Sequence, residues 1–263
     1  MSTYLFDNEA DEATDRFTSL EHCYDEVTTG LLTSLGVTEG WHCLEIGGGG
    51  GSIARWLSER VGPTGSVLAT DIDPERMYGT AGNLEIRRHD IVTDELPDAH
   101  FDLVHARLVL IHIPERLAAL GRILRALKPG GRLLLDEFDV SWPNPVLTAP
   151  SEADATLIGS VIDGIHSLLV QAGMDPAWGR QAYGALADTG FTDLGYSGFC
   201  ERWPGGSKGA HLHRANAEQV GTKLIAEGLA TQAGIDRFLA LLDDPAVTLS
   251  SYLMLSSWGS RPA

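Results

Sequence analysis

The chain has 263 residues, 43% of them hydrophobic and 21% charged, which suits one large α/β domain with a buried core. Its 36 acidic residues against 19 basic ones give a formal net charge of -17 with no basic run, which argues against a nucleic-acid partner. The acidic N-terminus lacks a signal peptide's basic and apolar regions, and no apolar stretch approaches the roughly 20 residues that span a bilayer, so a cytoplasmic protein without a membrane partner is expected.

Residues 11 to about 36 read as an amphipathic helix, with Phe17, Leu20, Tyr24, Val27 and Leu31 on its apolar face and Gly36 as the stop. The spacing then predicts a strand over His42–Ile46, a glycine run, a helix over Ser52–Arg60, and a strand over Ser66–Thr70. Asp73-Pro74 has the form of an N-cap and first-turn proline for another helix. Leu84–Arg88 and Phe101–Ala106 read as the third and fourth strands. Pro114 opens a helix with the stripe Leu117, Leu120, Leu124 and Leu127, and Lys128-Pro129-Gly130-Gly131 leads into a fifth strand over Arg132–Asp136. This alternation predicts a doubly wound, mostly parallel sheet with helices on both faces.

Beyond Pro150 the pattern weakens. Residues 152–172 and 206–242 read as mainly helical, and two β-like runs, Phe191–Glu201 and Val247–Trp258, are placed as an antiparallel pair at the sheet edge. The expected organisation is a single domain, 1–263. It has an N-terminal helical cap at 1–36, a ligand-binding core at 41–140, and helical lid insertions at 146–180 and 205–245 that shape substrate choice.

Ligands in open α/β sheets bind beyond the carboxyl ends of the strands, and several of those ends carry distinctive residues. After strand one comes Glu45-Ile46-Gly47-Gly48-Gly49-Gly50-Gly51; after strand two, Asp71-Ile72; after strand three, His89-Asp90-Ile91; and strand four is Phe101-Asp102-Leu103-Val104-His105-Ala106-Arg107. A dinucleotide fingerprint fits less well, because its third glycine position falls on Ser52 or Ile53. Together with Leu127–Gly131, these segments resemble the motifs of class I S-adenosylmethionine-dependent methyltransferases, in particular the ubiquinone-biosynthesis-like and natural-product branch. The resemblance spans residues 41 to 137 and implies a Rossmann-like sheet of seven strands.

It also implies S-adenosylmethionine as cofactor and S-adenosylhomocysteine as product. Glu45, Gly47, Gly49 and Gly51 match the glycine motif. Asp71 would hold the ribose hydroxyls, with Ile72 against adenine. Asp90 and the Ile91 amide would meet the adenine edge. Main-chain groups near Ala106 would hold the methionine ammonium, and Arg107 its carboxylate. The expected reaction is methyl transfer to an oxygen, nitrogen or carbon of a small, specialised-metabolite-type molecule. The alternative is a protein of the same fold that binds the cofactor for a non-methylating reaction such as a cyclisation.

His112, at the helix start after strand four, is the candidate general base, and Glu137, past strand five, its orienting or substrate-binding partner. Strand alternation sends Asp136 and Glu137 to opposite faces. His211 and His213 are alternative bases in the lid, and Tyr4, Phe6, Trp142 and His211 are candidate substrate-pocket residues. No compact His/Asp/Glu cluster or paired spacing of Cys23, Cys43 and Cys200 suggests a metal. A small-molecule partner and a monomer or homodimer complete the expectation.

Overall fold

The computed structural model describes residue 5 and residues 11–79, 81–141 and 145–263. The chain divides into two compact units. One comprises Asp25–Asp139, Ala177–Phe199 and Met254–Ala263, and the other the residues up to Tyr24, Val140–Pro176 and Cys200–Leu253.

In the first unit, short apolar runs become strands β1 (His42–Ile46), β2 (Ser66–Asp71), β3 (Leu84–Arg88), β4 (Phe101–Arg107) and β5 (Leu127–Asp139), which pair in parallel. The late runs supply β7 (Thr192–Phe199) and β10 (Leu253–Ser260), an antiparallel pair. Among the described residues this sheet has seven strands in the order β3-β2-β1-β4-β5-β10-β7. Arg261 exchanges backbone bonds with the start of β5 while Ser256 meets Asp136 near its end, so β10 runs against β5. The order reverses between β1 and β4, which opens the crevice where ligands of such sheets bind.

Helices α1 (Asp11–Ser34), α2 (Ser52–Val61) and α3 (Arg116–Ala126) flank these strands. Cys43, Leu103 and Leu134 point to one sheet face and share a core with Leu32 and Leu35 from the α1 region and with Ile53 and Leu57 of α2. Lys128–Gly131 lies within β5 but bulges from its pairing: Phe101 faces Leu127, whereas Leu103 already faces Arg132.

Several expectations change. The buried face of α1 is turned from the predicted stripe: Arg16, Ser19, Tyr24, Thr28 and Leu32 are buried, while Phe17, Leu20, Val27 and Leu31 are half-exposed. Polar residues take buried positions because Thr28 has a carboxylate partner, described below. In α3 the buried positions are Ala119, Leu120, Ile123 and Ala126, and Leu117 is 61% exposed. Asp73-Pro74 opens only a three-residue turn, Pro74–Arg76, without a side-chain cap. The predictions also passed over helix α5 (Trp178–Thr189), whose buried face is Trp178, Gly179, Ala182 and Leu186. Two of those four are Gly and Ala, so no apolar periodicity betrays the helix. The missing side chain serves contact, since a Cβ on Gly179 would stand 2.8 Å from the Phe138 carbonyl of β5.

In the second unit, α4 (Glu152–Gln171) packs on α6 (Lys208–Ala226) and α7 (Gln232–Leu241). Contrary to the sequence reading, α4 is long and apolar enough, by length and composition, to cross a membrane. Its Ile158, Val161, Ile162, Ile165 and Leu168 are buried, as in a core helix. The run read as one strand over Val247–Trp258 splits, and its first part, β9 (Thr248–Ser250), joins β6 (Val146–Thr148) and β8 (Arg202–Pro204) in a small antiparallel sheet of order β6-β9-β8.

Candidate functional site

The glycine run after β1 turns back on itself. Gly47, Gly49 and Gly51 all have positive φ, at 66°, 52° and 83°, a region closed to most side-chain-bearing residues. The Gly47 and Gly48 amides donate to the Thr70 carbonyl at the end of β2, so the run is tied down where β1 and β2 end. A Cβ on Gly47 would stand 2.3 Å from Val109, and one on Gly48 2.6 Å from Met77. The branched Val109 side chain together with the positive φ therefore requires glycine at Gly47, whereas at Gly48 the close neighbour is the flexible end of Met77. Arg55 of α2 donates to the Gly50 and Tyr78 carbonyls and fixes the loop to the segment carrying Met77.

Asp71 ends β2 beside this loop. Its Oδ2 accepts from the Gly49 amide at 3.1 Å and its Oδ1 from the Asp73 amide at 3.0 Å, and the Ile72 amide also acts on the carboxylate, which keeps part of its acceptor capacity. Burial raises its pKa, against the lowering effect of those amides. Ile72 is 37% exposed at the same strand end. Asp90 lies past β3, where its Oδ1 accepts from the Val92 amide and holds the turn that buries Ile91.

Ala106 is fully buried near the end of β4. Arg107 pairs with Asp25 of α1 at 2.8 Å and reaches Thr28 at 3.4 Å, so its guanidinium already has a carboxylate partner. Glu45 is likewise engaged: its Oε2 accepts from His105 Nδ1 at 2.6 Å. The other nitrogen of His105 faces Asp136 Oδ2 at 3.3 Å, and Asp136 also accepts from Thr28 at 2.6 Å and Ser256 at 2.5 Å. Burial alone would depress the His105 imidazole, but Glu45 and Asp136 outweigh it and push its pKa up to about 9. Burial also disfavours ionised Asp136, yet His105, Ser256 and Thr28 hold its pKa below the ordinary carboxylate value. Sequence reasoning assigned no role to His105, Thr28 or Ser256. The available signal was a histidine amid the apolar run Leu103, Val104 and Ala106 of β4.

On the opposite face of β5, Glu137 is fully buried and accepts the Leu110 amide at 2.9 Å. It thereby holds the turn Leu110–His112, which carries the candidate base. Leu108, just before that turn, has φ 56°, a strained value for a branched side chain. Arg116 binds the Leu110 and Ile113 carbonyls from below and lies over the Trp178 ring at 5.3 Å. Burial pushes the Glu137 carboxyl up to about 8, and its Oε2 has no hydrogen-bond partner among the described residues.

The other candidates fall elsewhere. Tyr4, Phe6 and Trp142 lie outside the described residues. His211 is half-buried on α6, and His213 is fully buried, with Tyr252 at 3.2 Å from its Nδ1. The structure thus brings together Gly47–Gly51 and Asp71 at one set of strand ends, with His112 and Glu137 at the turn after β4. A polar cofactor fits the first group, because a side-chain-free glycine turn lets a ligand approach the backbone closely beside a buried carboxylate that keeps acceptor capacity.

Comparison with known proteins agrees. The family described as "Methyltransferase domain" matches residues 21–177. The ubiquinone/menaquinone biosynthesis C-methyltransferase UbiE of Pseudomonas putida is 40% identical over 112 residues, 39% of this chain and 44% of that protein. That of Laribacter hongkongensis is 35% identical over 140 residues, 50% of this chain and 57% of that protein. The chain thus spans about half the length of the curated relatives it matches. In three dimensions, phosphoethanolamine N-methyltransferase 2 of Haemonchus contortus, solved with phosphomonomethylethanolamine and S-adenosylhomocysteine, gives a TM-score of 0.59 at 18% identity. The match covers 95% of this chain and 58% of that one. Motif, strand order and family match together show that the chain belongs to the class I S-adenosylmethionine-dependent methyltransferases.

Proposed function

We propose that this protein transfers a methyl group from S-adenosylmethionine to a nucleophilic oxygen, nitrogen or carbon of a small organic molecule. The UbiE relatives are named as C-methyltransferases of ubiquinone/menaquinone biosynthesis, so carbon methylation of a quinol-type ring is the first acceptor class to test. When bound, the cofactor supplies an activated methyl group, so the chain's own tasks are alignment, exclusion of water and acceptance of a proton.

The observation that carries this reading is the pairing of the Gly47–Gly51 turns with Asp71. In it, Asp71 takes the two ribose hydroxyls on its remaining acceptor positions, and the loop's amides and Ala106 border the rest of the cofactor. Asp90 and Ile91 complete the adenine end. His112 takes the proton released by the acceptor. Glu137 keeps His112 in place through the backbone of its turn, and its raised pKa keeps the carboxyl protonated at neutral pH. The acidic balance of the chain, -17, favours a small-molecule acceptor over a polynucleotide.

The test is product formation. The purified protein, given S-adenosylmethionine and a demethylated quinol, should yield S-adenosylhomocysteine and a methylated ring in equal amounts by mass spectrometry. His112→Asn should lower kcat far more than cofactor affinity. A converted acceptor with no gain of a methyl mass would replace transfer by a non-methylating reaction such as cyclisation.

A further inference from the structure

Glu45, His105 and Asp136 form a closed group on one face of the sheet. Glu45 and His105 are paired in register across β1 and β4, and all three side chains are almost fully withdrawn from solvent. Both imidazole nitrogens face carboxylate oxygens, at 2.6 and 3.3 Å. One proton lies between each nitrogen and its carboxyl, and with both on the ring it is an imidazolium. Two carboxylates and one imidazolium leave one uncompensated negative charge. The hydroxyls of Thr28 and Ser256 stabilise it by donating to Asp136, but they add no positive charge. The neighbouring Arg107 is spent on Asp25.

An unbalanced buried charge is costly and calls for a cationic counterpart. The group reaches the cofactor loop through Glu45, whose Cγ lies 3.6 Å from where a Cβ on Gly48 would stand. Glu45, one of the three, therefore packs against the glycine loop. S-adenosylmethionine carries an ammonium, a carboxylate and a sulfonium, for a net charge of one. When the methyl leaves, the sulfur retains the electron pair of the broken S–C bond and becomes a neutral thioether. The net charge of the product is then zero.

We propose that Glu45, His105 and Asp136 form a charge selector, whose excess negative charge makes the cofactor site favour the cationic donor over its neutral product. Only a group that treats the two states differently can shift the balance between them, and a fixed charge beside a centre that loses its charge does so. The selector lowers retention of spent cofactor without touching the acceptor site.

Calorimetry on the full chain with S-adenosylmethionine, and separately with S-adenosylhomocysteine, gives the ratio of the two dissociation constants. Asp136→Asn and Glu45→Gln remove the excess charge in near-isosteric form. Each should shift that ratio toward the product by roughly tenfold, the size expected for a unit charge acting across a short span of protein with an effective dielectric of about 20. Thr28→Val removes a hydrogen bond but no charge and should change both affinities alike. A ratio that is unchanged in both neutral variants, or that moves as far in Thr28→Val, overturns the proposal. If the neutral variants do not fold, sinefungin supplies a mutation-free comparison, since it places a protonated amine where the sulfonium stands. Wild-type protein should bind it more tightly than S-adenosylhomocysteine, and the reverse preference is equally fatal.

Discussion

Asp71 binds backbone amides through a carboxylate that the proposed function also gives to the ribose. Its oxygens already accept from the Gly49 and Asp73 amides, and the proposed ribose contacts use its remaining acceptor positions. Asp71→Ala should therefore weaken S-adenosylmethionine binding by at least about a hundredfold, since two charge-assisted bonds of about 1.5–3 kcal/mol each are lost. Calorimetry on a folded variant checks this, and unchanged affinity would place the ribose elsewhere. Glu137 allows a prediction with a definite sign. Burial raises its native pKa to about 8 from 4.5, so the native state holds a proton that the unfolded chain releases. Its favourable contribution is complete below about pH 4.5 and is lost as pH rises through about 8. Glu137→Gln keeps an acceptor for the Leu110 amide and does not ionise. Thermal melts should show the variant gaining on wild type between about pH 5 and pH 9, whereas a constant gap would mean that Glu137 does not titrate there.

Among the elements, α5 and the turn after β4 depend most on contacts distant in sequence. The face of α5 meets β5 through Gly179, with the Glu137 and Phe138 carbonyl oxygens 2.9 and 2.8 Å from the site of a Cβ. Gly179→Val should push the helix off the strand at a cost of about 1–3 kcal/mol or more, read from denaturant unfolding. A neutral result would mean that α5 does not seat there. The sequence of α1 shows clear helical periodicity but not its orientation. Thr28 at an apolar-looking interface is explained only by Asp136, which is 108 positions away.

At the scale of the whole molecule, the two units carry buried histidines of opposite character. His105 is held as an imidazolium, with a pKa of about 9, so its contribution is full below about 6.5 and fades as pH rises through about 9. His166 and His213 are kept neutral, first by burial, at about 4 and about 3. The unfolded chain protonates them below about pH 6.5, so the native state loses ground progressively as pH falls from there. Hydrogen exchange, corrected for its intrinsic pH dependence, should show α4 and α6 losing protection at about pH 5 while β1, β4 and β5 keep theirs. Protection of β1 and β4 should weaken first above about pH 9. Simultaneous loss at both extremes would contradict this division.

Sequence alone determined the parallel part of the sheet and the segments proposed for the cofactor, because both depend on short-range order. Strands β1 to β4 follow from short segments of five to seven residues carrying spaced apolar side chains, and the glycine turn and Asp71 sit directly at strand ends. Only tertiary structure decided which polar groups meet. Glu45 and His105 are 60 positions apart, and His105 and Asp136 are 31 apart. No local pattern marks a buried charge as paired, because the partner that makes its burial tolerable comes from another strand. The same holds for Arg107, which the structure gives to Asp25, and for Glu137, whose partner is a backbone amide without a sequence signature. Periodicity records which face of an element is apolar; the charge balance of the interior is settled only when distant strands and helices pack together.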